Sequence, residues 1–118
     1  MRKLLAGIAV AALGVAGPAL AAKPKVHTKS LSAAADGGLA FNTQRITVAH
    51  GTVRLVMKNP RGSGLPHGIA IVKHGKGKVV NPGKTSTVTA KLAKGTYTYY
   101  CPFPGHKAAG MKGTLIVK

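Results

Sequence analysis

The sequence of 118 residues holds one acidic side chain, Asp36, against 18 lysines and arginines. Paired carboxylates, one common arrangement for general acid–base catalysis, are therefore excluded. There is also only one cysteine, Cys101, and no tryptophan. A single cysteine cannot close an internal disulfide, so it is a buried thiol, an intermolecular bridge or a ligand. Beyond the N-terminal segment no apolar run approaches the length of a membrane span, and no stretch has a convincing helical period. The formal net charge of +17 disfavours basic partners and leaves acidic ones open. The basic residues are scattered from Lys23 to Lys118, the pattern of a solvated surface and not of a specific nucleic-acid-binding arm.

The N-terminus opens with Met1, Arg2 and Lys3, continues through an apolar stretch from Leu4 to Val15, and closes on small residues around Ala19-Leu20-Ala21. This is the layout of a secretory signal over residues 1–21, with retention as an uncleaved anchor the alternative. It implies an exported protein, periplasmic or extracellular, whose mature chain starts near Ala22 and contains no transmembrane span. Residues 22–30, with Lys23, Pro24, Lys25 and Lys29, read as a flexible basic lead-in, and 31–118 as one compact domain. Removing Arg2 and Lys3 from the formal charge of +17 leaves the mature chain at about +15.

Short apolar or alternating runs separated by turn residues predict an all-β domain. Strands are expected at Arg45–Val48, Val53–Lys58, His67–Val72, Thr85–Lys91, Thr96–Cys101 and Gly113–Val117, with a weaker first strand near Lys29–Ala34. In the second, Val53, Leu55 and Met57 alternate with polar neighbours, which puts them on one face. Ile69 to Val72 is continuously apolar, as in a strand buried on both sides. His50-Gly51, Gly62-Ser63-Gly64, Asn81-Pro82-Gly83 and Lys94-Gly95 mark turns. Seven to eight short strands predict a Greek-key β-sandwich of two packed antiparallel sheets.

The chemistry concentrates in Tyr99-Tyr100-Cys101-Pro102-Phe103-Pro104-Gly105-His106-Lys107-Ala108-Ala109-Gly110-Met111-Lys112-Gly113-Thr114-Leu115. Cys101, His106 and Met111 fall at five-residue intervals in a loop between two expected strands, and its prolines and glycines bend it. A fourth donor comes from elsewhere: His67, in Leu65-Pro66-His67-Gly68 at the mouth of a buried strand. Two imidazoles, one thiolate and a weak thioether suit electron-transfer copper, whereas zinc sites rarely include Met. His74 sits in an expected turn, His27 and His50 read as surface residues, and Met57 as core. Tyr99 and Tyr100 read as packing residues beside the thiolate.

From about Leu31 to Lys118 the chain resembles the plastocyanin and azurin family of cupredoxins, and its Cys-x4-His-x4-Met loop is most similar to the azurin and auracyanin branches. The resemblance implies a cupredoxin fold and a type 1 blue copper ion, Cu(I)/Cu(II), held by His67, Cys101, His106 and Met111. Two positions depart from the family pattern: Gly68 stands where many members carry Asn, and Pro66 replaces the Gly that precedes the first histidine in azurins. Backbone N–H groups of Gly68 and Phe103 lie near the expected sulfur position, and two such donors raise a reduction potential relative to one.

The function these residues imply is single-electron carriage between extracytoplasmic redox partners by a monomer that is not an enzyme. His106, in the apolar collar of Pro102, Phe103, Pro104, Ala108 and Ala109, is the expected exit for the electron. Lys107 and Lys112 flank it and would steer a redox partner with an acidic docking surface. The alternative is a copper-binding and delivery protein outside the cytosol, which would require exchangeable ligands. A third reading takes the charge itself as the function, binding anionic polymers or lipid surfaces.

Overall fold

In a computed structural model that describes residues 25–118, the chain forms seven strands. They are β1 (Val26–Ser32), β2 (Arg45–Val48), β3 (Gly51–Lys58), β4 (Ala70–Ile71), β5 (Thr85–Leu92), β6 (Gly95–Tyr100) and β7 (Lys112–Val117). A three-stranded sheet in the order β1-β3-β5 packs on a four-stranded sheet in the order β2-β7-β6-β4. The expected signal at residues 1–21 lies outside the described residues. Among the described residues no helix is long and apolar enough to cross a membrane.

Alternation in β3 and β5 buries Val53, Leu55, Met57, Val88 and Leu92 against Ile46, Val48, Ile71, Tyr99, Leu115 and Val117 of the second sheet. Each large side chain so buried stabilises the fold by about 1.5–3 kcal/mol before entropy is counted. Tyr99 fills the centre of this core. Its ring tilts against Phe41 at 5.5 Å and its hydroxyl donates to the Thr43 carbonyl at 2.8 Å. Burial pushes its phenol up to about 12, so the residue is a neutral packing group with a satisfied polar tip.

Three expectations need correction. The sheets are mixed: β1 runs parallel to β3, and β2 parallel to β7. The cause is that the chain crosses between sheets at β1–β2 and again at the tight turn before Gly51 (φ 121°), so β3 returns beside β1 in the same direction. Second, the expected flexible lead-in gives Val26–Ser30 to β1, which pairs with β3 in register from Val26↔Thr52 to Ser32↔Lys58. This edge strand buries only Leu31, so it is held by backbone pairing and lacks the alternation that would mark it. Third, of the run His67–Val72 only Ala70–Ile71 is regular strand, and His67 pairs in an isolated bridge with Val80. The partner here is the irregular segment 76–80 and not a full strand.

The β6–β7 ladder ends at the pair Tyr100↔Lys112, and that end of the sandwich carries the loop of interest. One residue inward, a Cβ on Gly113 would stand inside the Tyr99 ring. Gly113→Ala is therefore expected to lower stability by about 1–3 kcal/mol through overpacking. A urea midpoint equal to that of the wild type would contradict this account of the core.

Candidate metal centre

Cys101 follows β6 directly, and its N–H donates to the Met111 carbonyl at 3.1 Å, which extends the ladder by one rung. The loop between them is wound by short-range bonds. His106 N–H donates to the Phe103 carbonyl at 3.1 Å, Gly110 N–H to Lys107 at 3.0 Å and Met111 N–H to His106 at 3.0 Å. Gly105 (φ 86°) and Gly110 (φ 110°) take left-handed conformations that a Cβ would strain, which lets this short loop close on itself. His67 arrives from the opposite side at the end of the Leu65-Pro66 approach. Its N–H donates to the Val80 carbonyl at 3.1 Å and its carbonyl accepts from Val80 N–H at 2.8 Å.

These elements bring His67, Cys101 and His106 together with their ligand atoms all within 4.8 Å of one another. The Nδ1 atoms of His67 and His106 lie 3.9 and 3.5 Å from the Cys101 sulfur, and the two imidazole centroids are 5.0 Å apart. His67, Cys101 and Met111 are fully buried, whereas His106 keeps 6 % of its surface exposed. Phe103 packs on His106 with ring centroids 4.6 Å apart. Gly68 N–H donates to the sulfur at 3.4 Å. Among the described residues Phe103 N–H makes no such bond, so the sulfur has one main-chain donor where the sequence offered two.

The donor set fits copper. Burial holds both imidazoles below their usual value, His67 with a further contribution from His106, and a neutral imidazole is the form that ligates a metal. The Nδ1 atom of His67 faces only sulfur, and its Nε2 is buried without a hydrogen-bond partner. A sulfur 3.9 Å away is a poor partner for a buried ring nitrogen, and a metal at Nδ1 would supply a stronger one there. The other histidines lie elsewhere. His74 is exposed and stacks edge-on to Tyr97 at 5.1 Å, and His50 Nδ1 contacts the Lys118 carbonyl at 2.8 Å. Met57 is core.

The model of the copper-binding proteins of the plastocyanin/azurin family matches residues 28–118. The chain belongs to this family. As a cupredoxin it is 32% identical to the chloroplastic plastocyanin of Pisum sativum over 130 aligned positions, covering 99% of this chain and 74% of that one. Auracyanin-B of Chloroflexus aurantiacus is 55% identical over a shorter stretch of 40 residues, which is 33% of this cupredoxin and 17% of the relative's length. Among solved structures, an auracyanin B superposes with a TM-score of 0.71 at 29% identity, covering 83% of this chain and 92% of the other. The copper nitrite reductase of Nitrosomonas europaea, at 22% identity and a TM-score of 0.65, shares the fold.

Depressed imidazole pKa values make a definite prediction for the metal-free protein. The unfolded chain takes up protons near pH 6.5, before the folded one does, so this stability is present above that pH and is lost as pH falls toward the lowered folded values. The urea midpoint is expected to be flat above about pH 7 and to drop steadily below about 6.5. A midpoint that rises on acidification would contradict the burial of neutral His67 and His106.

Proposed function

We propose that this cupredoxin carries single electrons between redox proteins outside the cytosol, with copper held by His67, Cys101, His106 and Met111. Bound copper supplies a one-electron couple whose two states prefer different coordination. The chain's part is to hold its donors still. The observation that carries this reading is the clustering of two imidazole nitrogens and one thiol sulfur, buried and fixed by the β6–β7 ladder on one side and by the isolated His67–Val80 bridge on the other. A site that needs no rearrangement of its donors suits rapid exchange of an electron.

His106 is the proposed exit, since it alone of the four reaches the surface. Exposed Pro104, Ala108 and Ala109 with half-buried Phe103 surround it as an apolar collar suited to brief docking. Exposed Lys107 and Lys112 stand beside that collar, and the Lys107 ammonium lies 4.6 Å from the centroid of the Tyr100 ring. Their charge favours a partner with an acidic docking surface. Export is supported by the leader-like residues 1–21. Copper delivery is disfavoured because delivery requires exchangeable ligands, and three of these four are fully buried.

Hexacyanoferrate, an anionic one-electron reagent, provides the test. The copper-loaded wild type is expected to show strong thiolate-to-copper absorption that bleaches and returns reversibly with one electron, at a rate that falls as salt is added. Cys101→Ser is expected to lose both the absorption and the cycle. A colourless copper-loaded wild type would overturn the electron-carrier reading. A rate indifferent to ionic strength would overturn the acidic partner.

A further inference from the structure

Position 68 has no room for a side chain. A Cβ there would stand 2.8 Å from the Lys78 carbonyl oxygen and 3.3 Å from Pro102 Cδ. No side chain at 68 can therefore tie His67 to the Cys101 loop. What lies against Gly68 is the main chain of residues 76–80, which belongs to neither sheet. It is bonded to the His67 segment through Val80 and through Gly77 N–H, which donates to the Ile69 carbonyl at 2.7 Å.

Two buried side chains hold that irregular segment from either side. Asn59, fully buried, donates through Nδ2 to the Leu65 and Val80 carbonyls, each at 2.9 Å. Its Oδ1 accepts from the Ser63 hydroxyl at 2.6 Å, so the amide is oriented without ambiguity. Ser86, 1 % exposed, donates from Oγ to the Lys78 carbonyl at 2.5 Å and accepts from Ile69 N–H at 3.3 Å. Leu65, Val80, Lys78 and Ile69 are the residues that bracket His67 and Gly68 in sequence and across the bridge.

We infer that Asn59 and Ser86 are positioning residues that fix His67 Nδ1 and the Gly68 N–H relative to the Cys101 sulfur. The inference rests on the copper reading above for its effect on potential, but not for the placement of the two groups. The two residues act through the main chain, since apart from the Asn59–Ser63 bond their hydrogen bonds go to backbone groups and none reaches the sulfur or an imidazole. Loss of Ser86 takes the hydroxyl from the Lys78 carbonyl, and loss of Asn59 takes the amide from the Leu65 and Val80 carbonyls; either frees the segment that sets the 3.4 Å approach of Gly68 N–H to sulfur. A weakened donor leaves more charge on the thiolate and favours the oxidised metal.

The test compares Ser86→Ala, Ser63→Ala and Asn59→Ala with the wild type; Ser63→Ala loosens the Asn59 amide without removing it. In the metal-free proteins, amide exchange followed by NMR at His67 and Gly68 is expected to quicken by roughly tenfold or more relative to the amides of β6 and β7. In the copper-loaded proteins the reduction potential is expected to fall below that of the wild type, with a displaced thiolate-to-copper band. If the variants lose urea stability while His67 and Gly68 exchange no faster than the β6–β7 reference and the potential is unmoved, the residues are merely structural and the inference is overturned. Should Asn59→Ala fail to fold, the two serine variants decide the matter. If exchange responds as expected but the wild type shows no thiolate-to-copper band, the positioning of His67 stands and the copper reading fails.

Discussion

Two imidazole nitrogens and one main-chain N–H converge on a single buried sulfur, and much of the chain's architecture is arranged around that approach. Each group comes from a different piece of backbone: Gly68 and His67 from the bridge with Val80, His106 from the wound loop, and Cys101 from the end of β6. Burying so many polar atoms is unfavourable unless they find partners. Here the partners are one another and, on the copper reading, a metal ion, while the packing of Phe103 on His106 keeps the centre largely dry.

The sandwich makes this convergence affordable in conformational terms. β6 and β7 present Cys101 and Met111 opposite each other on the rung beyond the ladder's last pair, so only the intervening loop must adopt a special shape, and two left-handed glycines let it. The other half of the centre has no such regular support. His67 hangs on a segment outside both sheets, and its order comes from Asn59, Ser63 and Ser86. Regular hydrogen bonding thus secures one side of the site and a small buried polar network the other.

The loop half was legible in the sequence because its chemistry is local: a thiol, an imidazole and a thioether at even spacing, with the prolines and glycines that bend them inward. His67 was legible from its Pro66 approach and from the demand for a second imidazole. The strands whose side chains alternate, β3 and β5, were visible for the same physical reason that they pack. β1 was placed too late in the chain because an edge strand that buries only Leu31 leaves no period to read. The parallel pairings were hidden because alternation reports which face a residue lies on and is silent on strand direction. Asn59 and Ser86 carry no signal of their own; a polar residue in a turn or strand gains meaning only when segment 76–80 is seen against it. The second sulfur donor expected from Phe103 N–H was an inference from nearness in sequence, and among the described residues only Gly68 N–H bonds to the sulfur.

A single acid among many bases surrounds the centre with a positive field, which favours gain of an electron and attracts acidic partners, though both effects are screened by salt. Neither effect matters unless the buried sulfur and the two imidazoles bind the same ion. X-ray absorption at the copper edge of the loaded protein addresses that point directly. The account predicts one short copper–sulfur bond and two imidazole nitrogens around the metal. A spectrum with no sulfur neighbour, or with a single imidazole, would contradict it.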